Sequence, residues 1–308
     1  MSTATERAAH LATLPFESAS GLGEGHFSGF FRSIGELWGQ RELLGLLVRR
    51  ELKAKYKDST LGFAWTLIRP LVMLLIYYFA IGKVLGAERS IPSYAIFVFS
   101  GLTIWGLFSE IISSGTNSII SNAGLIKKVY LPREIFPLAA TGSALVNFVS
   151  QFAILVIATI VLWQVPVHAA FFDIFPALAV TIVYGTAFGI LLSAVNVYLR
   201  DIQYLVEVGL LIFFWMSPIV YSFAFVNAAV VKSGHPWIEE VYLANPMSVA
   251  ILAFQKGMWI AGMDPKAQTL YPANMDLRLG IMFVIGLVLL GVAQRVFARL
   301  QGNFAQEI

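Results

Sequence analysis

Five stretches of this chain run without a single Asp, Glu, Lys or Arg: residues 90–109, 135–172, 174–199, 208–231 and 279–294. An α-helix rises about 1.5 Å per residue, so about 20 apolar residues cross a hydrocarbon core of roughly 30 Å. Each stretch holds one crossing. A sixth, Leu61 to Leu85, is interrupted by Arg69 and Pro70. The pattern predicts an all-α polytopic membrane protein with six transmembrane helices, at about 61–85, 93–115, 134–162, 173–199, 204–226 and 277–299.

Composition agrees. Hydrophobic residues make up 58% of the chain and charged residues only 13%, against about 25% charged in a soluble domain. Residues 1–58 hold 15 of the 39 charges. An even soluble surface is excluded, as is a disordered or fibrous chain. Residues 1–35, rich in Ala, Ser, Gly and Thr, are expected to be a disordered cytoplasmic tail. Residues 36–58 form a separate amphipathic piece, and 59–308 the transmembrane domain. No apolar run of signal-peptide length precedes Leu61. The chain has no cysteine, hence no disulfide or thiolate site, and a net charge of +3 gives no nucleic-acid signal.

Six crossings put both termini on one side. That side carries 15 of the 21 basic residues, including Arg49, Arg50, Lys127, Lys128, Arg200 and Arg295. Excess Lys and Arg mark the cytoplasmic side, so both termini are expected there.

Three segments do not span. In Glu36–Lys57, Leu44, Val48, Leu52 and Tyr56 recur every fourth residue, with Arg49, Arg50, Lys53 and Lys57 largely off that stripe. This reads as an amphipathic helix at the cytoplasmic interface, or as an ordinary solvated leader helix. The cytoplasmic segment 121–133 is short and basic, and offers Leu125, Ile126, Val129 and Tyr130 among lysines, which suits docking into a partner's groove. The external segment 227–276 is too long for a simple turn. Within it, 245–262 is apolar with Lys256 its only charge. It reads as a re-entrant helical hairpin, with Asn245 as cap and Pro246 at the first helical position. Two extra short spans are the alternative.

No enzyme constellation is present. There is no G-x-x-x-x-G-K phosphate loop, no H-E-x-x-H and no G-x-S-x-G. The histidines His10, His26, His168 and His235 are scattered, and no metal site is expected of them. Glu110 and Glu207 are the span carboxylates, and both sit toward the cytoplasmic end. An ion-coupled carrier places such groups near the midplane. A membrane-bound transferase acting on a polyprenyl carrier would need an interfacial carboxylate or histidine that the sequence does not offer. Any energy source is expected to reach this chain through a partner.

Four pieces carry a family resemblance. They are Tyr56–Trp65 followed by Arg69-Pro70-Leu71; Leu125–Glu134; Asn196–Ile202 followed by Ser217-Pro218-Ile219-Val220-Tyr221; and Asn245-Pro246-Met247. In this order, over roughly residues 36–300, they resemble the membrane subunit of ABC-2 type exporters, most of all the branch that exports O-antigen, capsule, teichoic acid and related cell-wall glycans. The resemblance implies a homodimer around a central channel in the bacterial cytoplasmic membrane. It implies two separate nucleotide-binding subunits that hold ATP and magnesium, so this chain is a transport subunit with no ATPase site and no cofactor of its own. The substrate implied is a polyprenyl-pyrophosphate-linked glycan; a drug or small lipid is the alternative.

The resemblance makes 121–133 a coupling helix, with Leu125, Ile126, Lys127, Lys128, Val129 and Tyr130 meeting the ATPase, and 36–57 an interface helix. Aromatic faces suit a polymer path, which singles out Trp65, Tyr77, Tyr78, Phe213, Phe214 and Trp215 as channel-lining candidates; facing lipid is their other reading. Arg69 either snorkels to headgroups or meets the carrier's pyrophosphate, which a guanidinium matches bidentately. Structural roles are expected for Pro70, for Arg200 and Asp201 as an ion pair or cap, and for Pro218 as a kink in the fifth span. Gly185 and Gly189 form a G-x-x-x-G pattern that suits close helix approach.

Overall fold

The computed structural model describes residues 39–55, 64–129, 131–264 and 271–307. The chain divides into two units, Met1–Arg41 and Glu42–Ile308. The tail 1–35, residues 36–38 and 56–63, and Tyr130 lie outside the described residues, and so does the side chain of Arg69.

Among the described residues all regular structure is helical. Helix α1 is Arg41–Lys55. Helix α2, Ala64–Ile76, contains Pro70 and continues as a π-helical stretch, Tyr77–Val84. Proline has no N–H to give the preceding turn, which loosens the helix there. Helix α3 is Tyr94–Ser121, and α4 a single turn, Ala123–Ile126. Helix α5 is Ile135–Val161. A 3₁₀ turn, Ala169–Asp173, leads into α6, Ile174–Tyr198. Helix α7 is Ile202–Met216, α8 Phe223–Ser233, α9 Trp237–Leu243 and α10 Pro246–Met258. Helix α11 is Met275–Leu300, and α12 the terminal turn Phe304–Glu307.

Helices α3 and α5, α6 with its 3₁₀ lead-in, and α11 with its following turn are each long and apolar enough to cross a membrane. The first and fifth expected spans differ. Pro70–Val84 and Ile202–Met216 are shorter apolar helices. At 15 residues α7 is about 22 Å long. Pro218 does not kink a continuous fifth span; the helix stops before it. Ser217 is extended (φ −102°, ψ 149°), because the ring of a following proline disfavours α geometry. Residues 245–262 hold one helix, α10, and a 3₁₀ turn, Ile260–Met263, rather than two helical arms.

Helix α3 is the centre. Ile96, Ile104, Ile111 and Ile119 along it are fully buried. It packs against α5 and α6, α11 covers α6, and α10 lies across both α3 and α6. Glycine sets the α3–α6 spacing. A Cβ on Gly115 would lie 2.9 Å from the Cα of Gly189, and one on Gly185 would lie 3.2 Å from Cβ of Ile111. Asn196 Nδ2 on α6 donates to the Thr116 carbonyl on α3 at 3.1 Å beside this crossing.

Candidate functional site

One end of the bundle gathers the C-termini of α3, α6 and α11 and the N-termini of α5 and α7. It is the basic end, with Lys127, Lys128, Arg133, Arg200, Arg295 and Arg299. The segment between α3 and α5, expected as a helix over 121–133, is helical for one turn. Asn122 leaves helical geometry (φ −107°, ψ 14°), and α4 follows. Of the residues singled out there, Ile126 is buried in a cluster with Leu47, Ile119, Ile135 and Phe136, and Leu125 is half-buried against it. Lys127, Lys128 and Val129 point outward, with Val129 45% exposed. Two apolar residues therefore anchor the turn in the bundle, and two ammonium groups and a valine are left exposed.

Helix α1 is fastened to this end by polar bonds. The Arg50 guanidinium donates to Asn122 Oδ1. Asn122 Nδ2 donates to the Ser118 carbonyl. Lys55 Nζ lies 2.7 Å from Glu110 Oε1, and Asn147 Nδ2 on α5 donates to the same oxygen at 2.5 Å. Burial pushes the Glu51 carboxyl up from its ordinary value, against the pull of Arg50. Between α1, α3, α5 and the start of α7 lies an open cavity of about 610 Å³. Its α3 wall is Glu110, Ser113, Ser114, Thr116, Asn117, Ser118 and Ser121. All but Thr116 fall at i, i+3, i+4, i+7, i+8 and i+11, one face of a helix. Sequence reasoning passed over this stripe, although its helical period is plain in residues 110–121 once hydroxyls and amides are counted.

The channel-lining candidates separate into two groups. On α2 and its π stretch, Trp65 is 51% exposed, while Tyr77 and Tyr78 are half-buried. On α7, Phe213 and Trp215 are exposed at 47% and 61%. Phe214 turns inward onto Trp105 of α3, with ring centroids 5.8 Å apart. Both helices pack on α3 and keep broad apolar faces outward, including Leu71, Met73 and Phe79 on the first and Leu205, Leu211 and Met216 on the second. Arg200 and Asp201 are exposed. Asp201 occupies the N-cap position of α7 but caps with its backbone: its carbonyl accepts from Tyr204 and Leu205, and its side chain makes no cap bond.

At the opposite end α10 holds the break between α7 and α8. Asn245 Oδ1 accepts from Met247 N–H, with Pro246 in the first turn, and Asn245 Nδ2 donates to Ser217 Oγ at 3.3 Å. Gln255, fully buried, donates from Nε2 to the Pro218 carbonyl at 3.0 Å. The Trp259 indole donates to the Pro92 carbonyl at 2.7 Å. Lys256 pairs with Asp173 at 2.7 Å. The freed polar groups of a broken apolar helix are thus met by protein, as a low-dielectric setting requires.

Residues 42–259 match the sequence model of a family described as ABC-2 type transporter. The chain is similar to the O-antigen export system permease protein RfbA of Myxococcus xanthus, 29% identical over 279 residues, which is 90% of this chain and 99% of that one. It is 27% identical over 266 residues to a protein of the same name from Klebsiella pneumoniae, covering 86% of this chain and 94% of that one. The polysialic acid transport protein KpsM of Escherichia coli matches over 128 residues at 25% identity, 41% of this chain and 47% of that one.

Proposed function

The chain belongs to the ABC-2 type transporter family, and from that premise we propose that it is the permease subunit of an ATP-driven exporter of a lipid-linked polysaccharide. The match to O-antigen export permeases over nearly their whole length carries this reading. Two copies pair through the apolar faces of α2 and α7 around a central path in the bacterial cytoplasmic membrane. The six crossings comprise the four long helices, α2 with its π extension, and α7 with the broken segment after it. Both termini are cytoplasmic, in keeping with the basic end.

Two ATPase chains supply the energy, holding ATP and magnesium themselves. Lys127, Lys128 and Val129 are the docking residues, and Tyr130 is the candidate beside them. A push on this turn reaches α3 and α5 directly, because it is the link between them. It reaches α1 through the Arg50–Asn122 bond. The exposed rings of Trp65, Phe213 and Trp215, with Tyr77, Tyr78 and Phe214 behind them, offer a sugar chain apolar faces without fixed charge. Arg69 is the candidate contact for the carrier's pyrophosphate.

The test is deletion of the chain, with surface polysaccharide measured alongside co-purification of an ATPase with the tagged chain. Loss of the polymer and capture of the ATPase are expected. Unchanged polymer refutes the substrate class, and a drug or small lipid then becomes the substrate to seek. Failure to recover any ATPase refutes the division of labour.

A further inference from the structure

The stripe on α3 needs a reason. From Glu110 to Ser121 is eleven residues, about 16 Å at 1.5 Å per residue, or roughly half the thickness of a bilayer core. Hydroxyls, amides and a carboxylate along a membrane helix face protein or a water-filled space, since lipid cannot bond them. Here they face the 610 Å³ cavity. That volume is room for roughly twenty waters and lies within the range of about 300–1,000 Å³ usual for small-ligand sites. Ser118, which lines the cavity, is 3% exposed, and its hydroxyl has no hydrogen-bond partner.

The chemistry of the wall selects the ligand. Its ionisable members are Arg50 and Lys55 against Glu51, Glu110 and Glu207, a sum of −1. Lys55 is committed to Glu110 and Arg50 to Asn122. A phosphate would meet three carboxylates against two cations, one of which, Lys55, is already paired with Glu110. A polyhydroxylated, uncharged ligand meets acceptors in the carboxylates and both donors and acceptors in Asn117, Gln203 and the serines.

We propose that this cleft between α1, α3, α5 and α7 is a sugar-binding vestibule in each protomer, taking neutral sugar units of the glycan rather than its phosphate carrier. The assignment rests on the exporter reading. Its place fits that role: the cleft opens at the basic end and is bounded by α7, whose aromatic face lies further along the same helix.

The chain has no cysteine, so within it the variants Ser114→Cys and Asn117→Cys report on this cleft alone; labelling is read on this chain after separation from the ATPase, and Gly302→Cys near the C-terminus serves as reference. The transporter with its ATPase is probed in inside-out vesicles with a charged methanethiosulfonate reagent. One set comes from cells making the polymer, with the ATPase arrested by vanadate; the other comes from cells blocked at the first sugar transfer. Both cleft cysteines should react in sugar-free vesicles and about tenfold more slowly in loaded ones, because a bound ligand hides most of the wall it touches. The reference should react alike in both. Equal cleft rates in the two sets refute glycan occupancy, and no reaction in either refutes a water-filled cleft. Failure of the exporter reading looks different: deleting the chain then leaves surface polysaccharide unchanged.

Discussion

Gly115→Ala is the sharpest test of how the bundle is held. The new Cβ would lie 2.9 Å from the Cα of Gly189 and 3.4 Å from its carbonyl carbon. Carbon atoms rest at about 3.5–4.0 Å, so the helices must part by about 0.6 Å or more. Both neighbours are backbone, so no side chain can swing aside to make room. A gap of 0.5–1 Å forfeits about a quarter to a half of each contact it opens. The same shift stretches the bond from Asn196 to the Thr116 carbonyl, now 3.1 Å, beyond useful length. Overpacking costs about 1–3 kcal/mol and the lost bond about 0.5–1.5. Removing a helix-interior glycine returns about 0.5–1 kcal/mol. The net is a loss of about 0.5–4 kcal/mol. Gly209→Ala on α7 is the counterpart, because its Cβ meets nothing within 4 Å; it should be neutral or stabilising by up to about 1 kcal/mol. Unfolding of the detergent-solubilised protein, followed by size-exclusion after stepwise heating, separates the two. If Gly115→Ala is as stable as Gly209→Ala, the glycine crossing does not set the spacing and the argument fails.

Reversing both exposed lysines, Lys127→Glu with Lys128→Glu, should weaken co-purification of the ATPase by about tenfold or more while leaving the thermal midpoint in place; unchanged recovery removes these residues from the interface. Gln255→Leu leaves the buried Pro218 carbonyl without its donor, a loss of about 1–3 kcal/mol, read as a lower midpoint and faster proteolysis between α7 and α8. In the loop before α6, burial lowers the pKa of His168, and both its ring nitrogens are enclosed without a partner. Its contribution to stability is therefore complete above its ordinary value and is lost as pH falls. The midpoint should drop between about pH 7 and pH 5, and His168→Gln should flatten that drop; an unchanged slope refutes the assignment.

Long charge-free stretches made α3, α5, α6 and α11 readable, because a bilayer fixes helix length more tightly than any local propensity does. Other features depend on partners distant in the chain. Ser217 and Pro218 looked like a kink inside a continuous helix. What turns them into a stop that the fold tolerates is Gln255, which lies 37 residues from the carbonyl it satisfies. Glu110 read as an ordinary carboxylate near a helix end. Its role appears only with Lys55 and Asn147, which lie 55 and 37 residues away along the chain. Segment 121–133 was visible as apolar residues among lysines, but not which of them turn inward. Ile126 turns inward because Leu47 and Phe136 are there to receive it.

Stiffness is distributed unevenly along the chain. Helices α3 and α6 are regular, meet backbone to backbone at Gly115 and Gly189, and resist small displacements because close-packed cores do not deform continuously. The irregular elements are α2, with Pro70 and its π-helical end, and α7, with its break at Ser217–Pro218. Such interruptions are where a membrane helix can bend or rotate without losing a long hydrogen-bond ladder. These same two helices carry exposed Trp65, Phe213 and Trp215, beside outward apolar faces. The turn at 122–129, by contrast, is fixed to the stiff part through Ile126 and to α1 through Asn122. A force applied at Lys127–Val129 is therefore carried by α3 and α5 as rigid levers, and the compliance lies in α2 and α7; on the exporter reading proposed above, that is where the path would open.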